Sequence, residues 1–387
     1  MFVNKKLQIN SKYSCKILEL LNGSRLIGGC VRDALIGIAN SDIDIATKML
    51  PIDVINKLTE NGIKVIPTGI QFGTVTAFLD NEKFEITTLR KDINCFGRYA
   101  NVQFTSNFEE DAARRDFTIN ALSYCPIEEK LYDYFNGLQD IEQKRVVFIG
   151  NSEERIKEDY LRILRFFRFS SNYAKQIDQS SLAACIKLKK EIKSLTKERI
   201  KLEMDKIIIT KNAPDILQIM FDNQILQIIF PIKNYNSSSF QEAISFNIVS
   251  YLFLYSLLFY AATEITVKSL LSLKFSKQES SKIVDIINFL NKPLLPLKEC
   301  WLEKSDYLDY IALAVALNKI SNTAAQKFIS IYKTRTRPIF PLTGNDLLRI
   351  GEKDKEIGRK LKLLKNIWIE SDFKISKEEL LTLVGET

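Results

Sequence analysis

The stretch "LIGGCVRDALIGIANSDIDIAT", Leu26 to Thr47, decides how the N-terminal part of this chain folds. It reads as a strand ending at Ile27, a Gly28-Gly29 turn, a helix beginning near Val31, and a second strand, "SDIDIAT". Side chains alternate between the two faces of a strand, so Asp42 and Asp44 share one surface while Ile43 and Ile45 enter the core. Two carboxylates side by side repel, and a divalent cation relieves the repulsion; hard Mg²⁺ prefers such oxygen ligands, shared with phosphates. A solvated edge bearing two acids is the simpler account of an isolated D-x-D. The glycines let the backbone turn tightly and present N–H groups to a phosphate, and Arg32, one turn into the helix, brings a cation to the same anion. Close packing alone also explains a glycine pair. The turn, the arginine and the two acids at this spacing together favour the metal and phosphate reading.

Working outward, residues 25–90 alternate short β-like runs with helical ones, and "TVTAFLD" and "KFEITTLR" flank the turn signal Asp80-Asn81. That pattern predicts a small mixed sheet. Glu85, in the middle of "KFEITTLR", is the candidate third acid for metal-assisted chemistry, and a solvent-facing strand glutamate is the equal alternative. From Asn107 onward strand signals fade, apart from "RVVFIG" at 145–150, and 3.6-residue periodicity takes over. The expected fold class is α+β, a mixed head on a helical body. Pro, Gly and Ser interrupt the helical pattern at 233–239, 291–298 and 334–345.

A chain of 387 residues is too long for one compact core, so two to four domains are expected. The net charge of +8 favours polyanionic partners. The sequence contains no histidine, which excludes imidazole-based triads; a metal-activated hydroxyl needs none. Its six cysteines are scattered singly and read as reduced and structural. The N-terminal residues carry neither a signal-peptide core nor the arginines of a transit peptide, so a cytoplasmic location is expected. One uncharged segment, Ala243 to Thr263, approaches the ~20 residues that span a bilayer. It lacks flanking basic clusters and is read as a buried core helix, with no membrane partner.

Two basic segments carry the remaining chemistry. "EEDAARRDFTINAL", Glu109 to Leu122, sets Arg114, Arg115 and Asp116 ahead of an apolar stretch; contact with a triphosphate and a ribose hydroxyl is one reading, a solvated mixed-charge face the other. In "EDYLRILRFFRF", Glu158 to Phe169, a buried stripe of Ile156, Tyr160, Leu164 and Phe167 runs at helical spacing. Beside it Asp159, Arg162, Arg165 and Arg168 step by three. An intrahelical Asp159–Arg162 pair worth only about 0.2 to 0.5 kcal/mol is the modest explanation. The sharper one uses base chemistry. Cytosine and adenine both offer an exocyclic amine beside a ring-nitrogen acceptor, so an accepting aspartate and a donating arginine take C or A and leave buried groups unpaired against U or G.

"LIGGCVRDALIG…SDIDIAT", "RRDFTINAL", "EDYLRILRFFRF" and "TKERI" occur in this order, over about residues 25–205, and together resemble the class II tRNA nucleotidyltransferases. These CCA-adding enzymes share a superfamily with bacterial poly(A) polymerases. The resemblance implies a nucleotidyltransferase head at 1–144, a helical neck at 145–205, a body at 206–290 and a tRNA-binding tail at 291–387. It implies that Asp42 and Asp44 hold Mg²⁺, that Gly29 and Arg32 meet the incoming CTP or ATP, and that Arg115 and Asp116 meet its ribose and phosphates. Asp159 and Arg162 would act as the amino-acid template, with Arg165 and Arg168 on the triphosphate. The implied partner is the 3′ end and acceptor arm of tRNA, not DNA. "PLTGNDLLRIG…IGRKLKLLKNIWIESDF" looks like the family's tail, with Lys360, Lys362 and Lys365 as candidate phosphate contacts or an ordinary solvated face. One departure concerns the C-to-A switch: relatives commonly read like DGRHA where this chain has "FGRYA", Phe96 to Ala100. A CC-adding enzyme, a poly(A) polymerase and a non-catalytic RNA-binding protein are the alternatives; two bare carboxylates facing a polyanion argue against the last.

Overall fold

The computed structural model describes residues 2–9, 11–39, 42–96, 99–246, 250–260, 262 and 265–386. They form two compact units, one of Met1–Tyr235 with Ser269–Phe275, the other of Asn236–Lys268 with Ser276–Thr387. The fold is α+β as expected, with every strand in the first unit.

That unit's sheet is larger than the sequence suggests. Its strands are β1 (Phe2–Asn4), β2 (Arg25–Ile27), β3 (Ile43–Thr47), β4 (Lys64–Gly69), β5 (Thr74–Leu79) and β6 (Glu82–Thr88). A separate hairpin, β7 (Arg90–Phe96) with β8 (Tyr99–Phe104), follows, and β9 (Ser123–Cys125) and β10 (Lys130–Tyr132) rejoin the main sheet. The order is β1-β10-β9-β2-β3-β6-β5-β4. Among the described residues only β3 and β6 pair in parallel, and the crossover between them includes the helix Pro51–Glu60. Proline suits the first turn of that helix, where its missing N–H costs nothing. Val54 and Leu58 of the helix pack with Ile43, Ile45, Phe84 and Ile86 in one buried cluster. Burying each such side chain is worth about 1.5 to 3 kcal/mol, so the isoleucines of "SDIDIAT" anchor one face of β3 and leave the other to the acids.

Several expectations need correction. Strand signals do not end near Asn107. β9 and β10 are three residues each, too short for alternation to register, and are held by pairing with β2 and β1. Conversely, "RVVFIG" contributes only a bridge between Phe117 and Phe148. Its apolar residues are buried by aromatic packing, with Phe148 4.8 Å from Phe117 and 5.8 Å from Phe166 between ring centroids. The helix after the glycine turn begins at Gly29, not near Val31. In the segment 109–122 the α-helix ends at Ala113, and Thr118–Asn120 adds only a single 3-10 turn. "EDYLRILRFFRF" is not one helix. Ser152–Glu158 and Leu161–Tyr173 are separated by Asp159, whose backbone is extended (φ −155°, ψ 109°). Ile156, Leu164 and Phe167 are fully buried on either side of this break. The helices Lys197–Ile208 and Ala213–Asp222 pack onto Leu161–Tyr173 and complete the unit.

The second unit is helical, and its breaks fall where the sequence places them. Helices end at Leu290 and Tyr332, and the next begin at Leu297 and Gly344. The apolar segment 243–263 contains the helix Tyr251–Phe259, buried from Phe253 to Phe259. It packs on Lys277–Leu290, which opens with a Ser276/Glu279 capping box. Among the described residues no helix is long and apolar enough to cross a membrane. Trp301, Trp368 and Phe373 form an aromatic cluster with Tyr332, whose carbonyl accepts from Trp301 Nε1 at 3.0 Å.

Candidate active site

Two chain segments of the head meet at the Gly28 turn. Gly28 has φ 69°, and its N–H donates to the Leu122 carbonyl at 3.1 Å. A Cβ there would lie 2.8 Å from Arg115 Nη1, the movable end of a long side chain, so it is the backbone at φ 69° that calls for glycine, and a side chain there also displaces Arg115. Gly28→Ala is expected to raise the KM for nucleotide about tenfold, through backbone strain and a displaced Arg115. Steady-state kinetics check this; an unchanged KM would mean that the contact between turn and arginine has no bearing on substrate binding.

β3 sits mid-sheet beside β6, and the parallel register sets Asp44 directly opposite Glu85. Asp42 is exposed just ahead of the strand, Asp44 is half-buried, and the flanking Ile43 and Ile45 are buried. Burial first, and the neighbouring charge of Glu85 second, push the Asp44 carboxyl up to about 6; Asp42 adds to this and Arg115 opposes it. Glu85 also pairs with Lys83 at 2.6 Å. The register therefore brings Glu85 to Asp44. Among the described residues no three acidic or cysteine side chains enclose an ion unaided. An all-oxygen, mutually repelling donor set that needs further oxygens from the substrate fits Mg²⁺, which keeps few protein ligands.

Facing the glycine turn lies a cleft of about 510 Å³, in the size range of small-molecule sites. It gathers Gly28, Gly29, Arg32 and Asp44 from the strand–turn–helix segment, Arg115 and Asp116 from "RRDF", and Asp159, Arg162 and Arg165 from the neck. Asp42, Glu85 and Arg168 are not among its lining residues. Arg114, read from the sequence as a triphosphate contact, lines it as well, as do Asn120, Phe169 and Arg199, to which the sequence gives no role. "TKERI" draws attention to the stretch containing Arg199, but nothing local links it to Asp159.

The charged groups of the cleft are fixed by one another. Asp159 accepts from Arg199 Nη2 at 2.6 Å and from the Leu161 N–H at 3.1 Å, so it does not form the intrahelical pair with Arg162. Arg162 instead donates to Glu158, to the Arg155 carbonyl at 2.8 Å and to the Arg114 carbonyl at 3.2 Å. Arg165 Nε donates to Asp116 Oδ2 at 2.6 Å. Burial alone would raise the Asp116 carboxyl, but Arg165 and the Asn120 amide hold it below the usual carboxylate range. Arg168 pairs with the buried Glu203 at 3.0 Å. Every nitrogen of the buried Arg32 guanidinium donates within the protein: to Asp33 at 2.9 Å, to Asn120 at 2.6 Å and to the Tyr173 hydroxyl at 2.7 Å. The arginine row is thus a set of buttressed donors, not a solvated rail.

Gly97 and Arg98 of "FGRYA" lie outside the described residues. In the second unit, Lys360 pairs with Glu352 and Lys365 with Glu303, Lys362 is exposed, and Trp368 is buried.

Residues 24–147 match the family described as the poly A polymerase head domain, and residues 176–235 match the one described as a probable RNA and SrmB-binding site of polymerase A. Among curated relatives, the mitochondrial CCA tRNA nucleotidyltransferase 1 of Mus musculus is 32% identical over 379 residues, spanning 94% of this chain and 86% of the mouse protein. The CCA-adding enzyme of Oceanobacillus iheyensis is 40% identical over 205 residues, 51% of this chain and 49% of that protein. The fold is shared with the Bacillus stearothermophilus CCA-adding enzyme solved in complex with CTP, at a TM-score of 0.78 and 21% identity, covering 97% of this chain and 96% of that one. Similarity sustained along nearly the whole of the mouse enzyme makes this chain a member of the CCA tRNA nucleotidyltransferase family.

Proposed function

We propose that this nucleotidyltransferase adds C, C and A to the 3′ end of tRNA, taking CTP and ATP and releasing pyrophosphate, with no nucleic acid template. The observation that carries this reading is the meeting of Asp44 with Asp159 and Arg162 on one cleft. The Asp44 carboxylate, suited to phosphoryl-transfer chemistry, and the pair suited to reading a C or A edge therefore face the same space. Mg²⁺, held by Asp42 and Asp44, would supply hydroxyl activation and neutralise the triphosphate.

The chain's own residues do the rest. Asp159, oriented by Arg199, accepts from the exocyclic amine, and Arg162, oriented by Glu158, donates to the ring nitrogen. Because both are anchored by partners from other segments, a base that cannot match them leaves polar groups unpaired instead of re-aiming them. Arg115 and Arg165, with Arg168 behind them, supply positive potential for the phosphates, while Asp116, fixed by Asn120 and Arg165, accepts from a ribose hydroxyl. Glu85 keeps the acidic side of the cleft negative beside Asp44. Exposed basic residues of the tail, Lys362 among them, contact tRNA phosphates. The cytoplasmic setting expected from the N-terminal sequence belongs to the same proposal.

Pyrophosphate release tests this most simply. With Mg²⁺ and a tRNA transcript lacking its last nucleotides, CTP and ATP should support release, and UTP and GTP should not. Equal release from all four nucleotides would defeat the template reading.

A further inference from the structure

We propose that a second cleft of the first unit, on the far side of Arg32, binds a phosphate monoester carried on a flat ring, with a nucleoside monophosphate as the fitting class. This cleft has a volume of about 400 Å³ and shares only Arg32 with the cleft described above. It is large enough for a nucleotide-sized ligand.

Its chemistry divides into a cationic rim and an apolar wall. Lys144 and Lys175 stand on the rim, and the Lys175 N–H donates to the Lys144 carbonyl at 2.9 Å, so the backbone itself holds the two residues together. Arg145, beside them, is already neutralised by Asp140 at 2.7 Å. Among the described residues no ion pair engages either lysine. Both lysine side chains are exposed and line the same cleft, where a dianionic phosphate can accept from each. Ile36, Ile119 and Ile141 supply the apolar wall against which a flat ring can lie.

Polar groups on the remaining sides suit a base edge. The amides of Asn172 and Asn212 each donate one N–H to a backbone carbonyl, of Arg168 and Ser171, both at 2.9 Å. Each amide keeps a carbonyl oxygen and a second N–H, which makes a paired acceptor and donor. The back of the cleft is rigid: Tyr173 accepts from Arg32, donates to Asp33 at 3.1 Å, and lies with its ring centroid 4.1 Å from the Arg32 guanidinium. A small anion alone would use the lysines and leave the isoleucine wall and the two amides unoccupied. The pairing of the two halves is what selects a nucleotide.

Lysine acetylation of the full-length chain, mapped by mass spectrometry, tests this with AMP, inorganic phosphate and a tRNA transcript as separate probes. AMP should protect Lys144 and Lys175 together, at concentrations about tenfold below those at which phosphate does. Lys175→Ala should weaken protection of Lys144 by AMP about tenfold, as loss of a charge-assisted contact predicts, while nucleotide addition to tRNA is unchanged. Absence of protection by AMP would overturn the proposal. So would equal protection by AMP and phosphate, which would indicate a bare anion subsite, or protection by the transcript alone, which would indicate an RNA-backbone surface. AMP protection should persist in Arg162→Ala, a change confined to the first cleft, and its disappearance there would also overturn the assignment.

Discussion

Asp44→Asn is expected to reduce nucleotide addition by about 10³-fold or more, the equivalent of roughly 4 kcal/mol of lost transition-state stabilisation. The exchange preserves size but removes the charge proposed to hold the cation. Because Asp44 lies outside any tRNA-holding surface proposed above, tRNA affinity should remain within about twofold. The same variant makes a second, opposite prediction about stability. The Asp44 carboxyl titrates near 6 in the folded chain against an ordinary 3.8, first because it is buried and second because Glu85 is near. The folded state therefore binds the proton more tightly than the unfolded state, so this group's contribution is fully present below pH 3.8. It is lost as pH rises through 6, at a cost of the order of 3 kcal/mol. In metal-free buffer at pH 7.5, Asp44→Asn should melt above the wild type. Added Mg²⁺ should raise the wild-type Tm and leave the variant unmoved, and at pH 5 the difference in metal response should shrink. Full turnover in the variant, or identical Tm responses to Mg²⁺, would contradict the assignment of Asp44 to the cation.

Asp159→Ala is expected to reduce discrimination between CTP and UTP, measured as a ratio of kcat/KM values, by about 10²-fold or more. The loss arises twice over. The acceptor for the amine disappears, and Arg199, which now donates to Asp159 at 2.6 Å, is left as an unpaired cation beside the base position. A carbonyl-bearing base such as uracil can then accept from that guanidinium. Affinity for tRNA, measured by filter binding, should change far less than base choice. Asp159→Asn distinguishes the template role from a structural one: it keeps the Leu161 N–H acceptor that shapes the break between the two helices, but presents an amide to the base. Retained selectivity for C and A in both variants would remove Asp159 from the reading edge.

The two strands and the turn of "LIGGCVRDALIGIANSDIDIAT" were legible because period-2 alternation and a glycine pair are local signals. The pairing of Asp44 with Glu85 was not, since register between strands 41 positions apart is set by the intervening helix and β4–β5. The break at Asp159 illustrates a different limit. Helical periodicity runs unbroken through 158–169, while in the fold Asp159 is extended and pairs with Arg199 of the helix Lys197–Ile208. An aspartate ahead of an apolar run is a known helix-start signal, and its Oδ1 does accept from the Leu161 N–H. The spacing of Arg162, Arg165 and Arg168 was legible as a row, but their partners Glu158, Asp116 and Glu203 show that the row is buttressed, which spacing cannot reveal. Arg32 likewise reads as a free cation in sequence, while in the fold Asp33, Asn120 and Tyr173 hold it.

The most direct test of the account uses three tRNA transcripts, ending before CCA, after C and after CC. Each is incubated with Mg²⁺ and with CTP and ATP separately or together, and resolved at single-nucleotide length. One cleft that reads both C and A predicts that all three grow to CCA and stop there. Arrest at CC would contradict complete addition and point to the altered "FGRYA" segment, and a lengthening A ladder on unrelated RNA would mean a poly(A) polymerase instead.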